Sequence, residues 1–228
     1  MRDTPVMIFA AGFGTRMGAL TADRPKPLIL VAGRALIDHA IGYARGAGAG
    51  RIVVNTHYHA AMMAAHLAGT GVLVSEEAPA ILETGGGLRQ AMPLLGSGPV
   101  ATLNSDAIWS GRNPLDQLAE AWDPARMDAL LLCVPPDRAV GRKGGGDFAQ
   151  EAGGRLTRGG PLVYTGAQIL KTDGLSGIAE TSFSLNVLWN RMIAEGRLFG
   201  LVHAGSWCDI GHPEGIALAE SMLADTDV

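Results

Sequence analysis

The feature that most constrains this chain is a series of short, continuously apolar runs separated by segments of helical periodicity. Val6 to Ala11, Arg51 to Asn55, Gly71 to Val74, Val100 to Asn104 and Ala129 to Val134 are compact, and several are rich in β-branched residues. Between them, Ala35 to Arg45 places Leu36, Ile37, Ala40, Ile41 and Ala44 at helical spacing, and Gly46 and Gly48 stop it. Ala60 to Ala68, Gly87 to Leu95 and Leu115 to Trp122 read as further helices. A strand that is apolar on both faces must be covered on both. The alternation therefore predicts an α/β fold: a three-layer, Rossmann-like sandwich with a mostly parallel sheet and helices on either side. At 228 residues, 47% hydrophobic and 18% charged, one domain spanning 1–228 can bury such a core. Its nucleotide-binding part is expected at about 1–110 and its second-substrate part at about 111–228.

In sheets of this kind ligands sit outside the carboxyl ends of the strands. The first run empties into Gly12-Phe13-Gly14-Thr15-Arg16, and a lysine held between prolines follows in Pro25-Lys26-Pro27. Glycines let successive N–H groups approach an anion, Arg16 offers a planar fork of donors, and Lys26 is a point charge on a stiffened backbone. A Walker loop is absent. A dinucleotide fingerprint would need glycine where Met17 stands, with Gly18 one place late. The net charge of −4 without a basic tract argues against nucleic acid as a partner. No run approaches the roughly 20 apolar residues of a membrane helix, and the opening MRDTP is followed by too short an apolar stretch for a secretion signal. With only Cys133 and Cys208, the expectation is a cytoplasmic protein without a disulfide framework. Oligomeric state is left open.

AAGFGTRM followed by PKP resembles the nucleotidyltransferases that make nucleoside-diphosphate sugars from a nucleoside triphosphate and a sugar 1-phosphate. The resemblance implies a triphosphate held by Ala11, Gly12, Gly14, Thr15, Arg16 and Lys26. It implies Mg²⁺ on two aspartates: Asp106 in Asn104-Ser105-Asp106, and Asp209 in the W-x-D-x-G string Trp207 to Gly211. Asn104 joins the nucleotide set, and Arg16, Lys26, Asp106 and Asp209 the catalytic one. Leu82-Glu83-Thr84-Gly85-Gly86-Gly87 resembles the base- and sugar-contacting loop of the branch containing N-acetylmuramate 1-phosphate uridylyltransferases and mannose-1-phosphate guanylyltransferases. Three glycines opening a helix are costly, and close approach of a ligand would account for them. Glu83 and Gly86 are thus expected at the base, and Gly87 at the sugar. A carboxylate facing the base edge accepts from uracil, thymine or guanine, and finds no such donor on cytosine.

Gly146 and Asp147 in a Gly-Asp-Phe string, and Tyr164, Thr165 and Gly166 in a strand resembling (F/Y)-(S/T)-G, are expected to line the sugar site. The Glu-Lys-Pro that precedes this strand in hexose-1-phosphate enzymes is missing. Leu156 to Gly160 reads LTRGG, so the sugar phosphate falls to the metal, to Arg158 or to another group. Phe183 to about Glu195 and Pro213 to Leu223 read as the last helices. The expected reaction uses UTP ahead of GTP, with N-acetylmuramate 1-phosphate in cell-wall recycling as one substrate and mannose or heptose 1-phosphate with GTP as the alternative. The rival classes are a dinucleotide-dependent oxidoreductase and a non-catalytic nucleotide-binding regulatory module. His57 and His59 lack a third ligand nearby, and Cys208 lacks a histidine relay.

Overall fold

A computed structural model describes residues 4–225. Seven strands form the main sheet: β1 (Val6–Phe9), β2 (Ile52–Thr56), β3 (Leu73–Glu76), β4 (Val100–Asn104), β5 (Ala129–Val134), β6 (Val163–Leu170) and β7 (Leu198–Val202). Their spatial order is β7-β5-β6-β4-β1-β2-β3. All neighbours pair in parallel except β6, which runs antiparallel to both β4 and β5. The helices are α1 (Leu36–Gly46), α2 (Ala60–Leu67), α3 (Glu83–Leu95), α4 (Pro114–Ala121), α5 (Asn186–Ala194) and α6 (Glu214–Ala224).

The continuous apolar runs feed two cores by simple alternation, because successive strand side chains point to opposite faces. Val6 and Ile8, Ile52 and Val54, and Leu130 and Leu132 pack on one face with Ile37, Ile41, Met63, Leu115 and Leu118. Met7, Val53 and Leu131 pack on the other with Leu88, Leu95, Leu188 and Met192. The α/β fold expected from the sequence, with a mostly parallel sheet between helices, is the one observed.

Several boundaries differ. The helix expected from Gly87 begins at Glu83, so all three glycines lie inside it. The helix expected to open with a Ser184 cap starts at Asn186; Ser184 Oγ still accepts from Asn186 N at 3.2 Å. The last helix starts at Glu214, with Pro213 just outside. The strand read at Gly71 begins two residues later, at Leu73. Cys133 and Cys208 are both buried free thiols. Among the described residues no helix is long and apolar enough to cross a membrane.

Beside the main sheet, Trp207–Asp209 pairs antiparallel with Ala107–Trp109 and parallel with Ala139–Val140. A hairpin of Phe148–Gln150 and Leu156–Arg158 stands before β6. These two small sheets build the second half of the site.

Candidate active site

β1 and β4 are parallel neighbours in register, Phe9 opposite Asn104, so the loops after them leave the sheet side by side. The first carries Ala11 to Arg16, the second Ser105 and Asp106. Gly14 sits at φ 66°, and a Cβ there would lie 2.8 Å from Lys26 Cβ. The glycine is what lets Lys26 pack against the loop. Thr21 Oγ1 ties the turn by donating to Gly14 O at 3.1 Å. Lys26 is only 8% exposed, and its Nζ reaches Asp106 Oδ2 at 2.7 Å.

Asp209 arrives through the small sheet. Its strand lies against Ala107–Trp109, and Ile210 N donates to Asp106 O at 3.0 Å. Burial raises the Asp209 pKa, and the negative charge of Asp106 raises it further; Lys26, Arg16 and Arg142 oppose this without cancelling it. A Cβ on Gly211 would stand 2.9 Å from Arg16 Nη1 and 3.2 Å from Asp209 Oδ2, so Arg16 lies over this glycine beside the aspartate. Cys208 is no nucleophile: burial, with Asp209 beside it, pushes its thiol up to about 12.

Two cavities share this centre. The first, about 320 Å³, is lined by the glycine loop, Arg16, Lys26, Asn55, Glu77, Glu83 and Asp106. The second, about 350 Å³, contains Arg142, Asp147, Arg158, Tyr164, Trp189 and Asp209. Phe9, Arg16, Thr84, Asn104 and Asp106 line both.

Of the nucleotide set, Ala11, Gly12, Gly14, Thr15, Arg16, Lys26, Glu83 and Asn104 all line the first cavity. Glu83 is exposed at φ 58°, and among the described residues its carboxylate has no hydrogen-bond partner. Gly86 and Gly87 line neither cavity. A Cβ on Gly86 would strike Thr181 O at 2.5 Å, and one on Gly87 would strike Glu77 Oε1. Close approach is indeed why these glycines are there, but the neighbour is the chain itself.

On the sugar side Asp147 and Tyr164 line the second cavity, with Asp147 Oδ2 accepting from Tyr164 N at 2.9 Å. Burial raises the Tyr164 phenol above its ordinary pKa. Thr165, Gly166 and Gly146 line neither cavity. Thr165 is fully buried and donates to Leu132 O at 2.8 Å, its position in β6 pointing it into the core. A Cβ on Gly166 would meet Asn104 Cγ at 2.7 Å, and one on Gly146 would meet Gly160 O. Both are packing glycines.

Sequence reasoning missed Asn55 and Glu77. Glu77 is 1% exposed; its Oε1 accepts from Asn55 Nδ2 and its Oε2 from Leu82 N, both at 2.7 Å. Asn55 Oδ1 in turn accepts from Ala10 N at 2.7 Å. One buried carboxylate therefore ties the start of the glycine loop to the start of α3. The only signal was an asparagine ending an apolar strand. His57 serves the same region by packing, with its ring edge-on to Phe13 and Nδ1 2.7 Å from Glu77 O.

Residues 6–207 match the model of the MobA-like NTP transferase domain. The chain belongs to that family. The transferase is 40% identical over 233 residues to the N-acetylmuramate alpha-1-phosphate uridylyltransferase of Caulobacter vibrioides, covering 96% of each chain. It is 30% identical over 217 residues to the protein of the same name from Neisseria meningitidis, covering 90% of this chain and 92% of that one. In fold it resembles HddC from Yersinia pseudotuberculosis, solved with GMP-PN. That likeness has a TM-score of 0.78 at 21% identity, over 96% of this chain and 99% of the other. The resemblance to sugar-1-phosphate nucleotidyltransferases read from the sequence holds, and the transferase is a nucleotidyltransferase.

Proposed function

We propose that this transferase moves a uridylyl group from UTP to N-acetylmuramate 1-phosphate, releasing pyrophosphate and UDP-N-acetylmuramate, in the cytoplasm. The observation that carries the reading is that two cavities meet at Asp106, one holding the glycine loop and Lys26, the other the sugar-side residues. Two substrates bound there would meet where the cations and carboxylates converge. The names of the relatives in Caulobacter and Neisseria supply the sugar and the base.

A divalent cation fits this site. Asp106 and Asp209 are close enough for one charge to raise the other's pKa, and a hard cation between them relieves that repulsion. Among the described residues no group of three potential ligands occurs, and two carboxylates are what Mg²⁺, which keeps much of its water, ordinarily takes from a protein. Bound there, Mg²⁺ would neutralise charge on the phosphates.

The sugar phosphate oxygen attacks the α-phosphorus in line, and the P–O bond to the β-phosphate breaks as pyrophosphate leaves. The attacking oxygen is already an anion, so no side chain need take a proton. Lys26, held by Gly14 and the flanking prolines, stands where the incoming phosphate and the α-phosphate would crowd each other. Arg16 and the loop amides hold the leaving pyrophosphate. Such prepositioned charge, rather than acid–base chemistry, carries the rate. Glu83, whose carboxylate is free, would accept from the imide N–H of uracil. Glu77, 1% exposed with each oxygen already accepting within the chain, ties the loops together.

The test crosses four nucleoside triphosphates with a panel of sugar 1-phosphates, with and without Mg²⁺, and reads pyrophosphate release. Turnover confined to UTP, N-acetylmuramate 1-phosphate and Mg²⁺ is expected. Silence across the grid would leave a nucleotide-binding module; turnover with GTP and mannose 1-phosphate would move the chain to the guanylyltransferases.

A further inference from the structure

The second cavity holds two arginines in different circumstances. Arg142 Nη2 is paired with Asp147 Oδ1 at 3.1 Å, while its buried Nε has no hydrogen-bond partner among the described residues. Arg158 has no ion pair among the described residues. Its Nε and Nη2 both donate to Asn190 Oδ1, at 3.0 and 2.8 Å. Its guanidinium carbon lies 4.9 Å from the centre of the Phe148 ring and 5.6 Å from that of Trp189.

Nη2 also donates to Asn186 O at 3.5 Å, so the plane of this cation is held by two aromatic rings, one side-chain amide and one carbonyl, and among the described residues Nη1 has no acceptor. Loss of hydration lowers its pKa from the ordinary value, with Asp147 opposing. A guanidinium held in one plane aims its remaining N–H groups in a fixed direction, and the two on Nη1 suit a carboxylate or phosphate oxygen. Arg158 is exposed at the edge of the second cavity, so an arriving anion can reach it from solvent. In the reaction proposed above the reacting phosphate has a different partner. Its place is beside Lys26, and Lys26 lines only the first cavity while Arg158 lines only the second.

We propose that Arg158 is a specificity-determining residue that receives a carboxylate carried on the sugar ring, so that the second cavity selects an acidic sugar 1-phosphate over a neutral one. This rests on the reaction proposed above. Trp189, whose Nε1 donates to Gln168 Oε1 at 3.0 Å, fixes the wall against which Arg158 stacks. The carboxylate occupies the guanidinium edge and leaves both ring faces where they are.

The experiment measures kcat/KM by pyrophosphate release for N-acetylmuramate 1-phosphate, its carboxamide and N-acetylglucosamine 1-phosphate, on the full chain and on Arg158→Met. Methionine keeps the apolar stem over Phe148, and thermal melting checks that the variant folds. A charged hydrogen-bonded pair of this kind is expected to favour the acid over its carboxamide roughly 10- to 100-fold in the parent protein. Arg158→Met should bring the ratio close to one by slowing the acid alone, and Arg158→Lys should restore part of it. An equal loss on acid and carboxamide would assign Arg158 to the phosphate and overturn the proposal. So would a parent protein indifferent to the carboxylate, or a variant whose preference is unchanged. If the parent turns over no acidic sugar phosphate with any nucleotide, the proposed reaction itself fails and this inference goes with it. A parent that turns over only neutral sugar phosphates overturns the inference while leaving nucleotidyl transfer standing.

Discussion

Lys26 Nζ lies 2.7 Å from Asp106 Oδ2, joining residues 80 positions apart in the chain. The contact places the most buried cation of the first cavity against a carboxylate at the end of a neighbouring strand. It also balances that carboxylate's charge before substrates bind. Lys26→Ala should leave the fold intact, because the ammonium sits at a cavity wall, and should lower kcat by roughly 10²–10³. Single-turnover pyrophosphate release, with circular dichroism as the folding control, decides it. A variant near full activity would remove Lys26 from the mechanism.

Gly14 makes the Lys26 placement possible. At φ 66° a side chain is strained by about 1–2 kcal/mol, and its Cβ would stand 2.8 Å from Lys26 Cβ. Gly14→Ala is expected to displace the lysine and reduce kcat at least tenfold while changing the melting temperature by only a few degrees. Gly12, where a Cβ would meet nothing within 4 Å, is the control: Gly12→Ala should melt like the parent protein.

Glu77→Ala strips acceptors from two buried donors, Asn55 Nδ2 and Leu82 N. Each unsatisfied group costs about 1–3 kcal/mol, and both segments border the nucleotide cavity. Urea denaturation should show a loss of that order, and the KM for the nucleotide should rise. Were stability to fall with the nucleotide KM unchanged, the Asn55 link to Ala10 would be structural only.

Glu83 tests base recognition separately. Glu83→Gln keeps the shape and the exposed position, and replaces one acceptor oxygen by a donor amide. Discrimination between UTP and CTP should shrink. An unaltered nucleotide profile would take Glu83 away from the base.

Away from the site, Asp128 sets an acid dependence. Burial raises its pKa, but hydrogen bonds from Lys171 and Arg197, with N–O distances of 2.8 and 2.9 Å, outweigh burial, and the net shift is downward. A depressed carboxylate contributes stability that is present above its unfolded value, about 3.9, and is lost as pH falls through the folded value. Asp128→Asn should therefore be less stable than the parent at pH 7, and the gap should close below about pH 4. Denaturation at pH 7, 5 and 3.5 reads it.

The sequence by itself determined the layers and the phosphate end of the site. Continuous apolar runs such as Val6 to Ile8 and Leu130 to Leu132 can only be buried on both faces, which compels helices on each side of a sheet. Gly12 to Arg16 and Lys26 were legible because their chemistry is local, a turn and two cations within one loop. The tertiary structure decided what depended on which chain segment lies next to which. It brought Asp209 beside Asp106 through a three-stranded sheet whose short members carry too few residues to show a pattern. It packed the glycines of α3 against Thr181, Phe183 and Glu77, since a missing Cβ records close approach without recording by what. It turned Thr165 into the core, because one step in register along β6 reverses the face a side chain meets. Glu77 was silent in the sequence for the same reason: a carboxylate looks solvated until the fold surrounds it with donors.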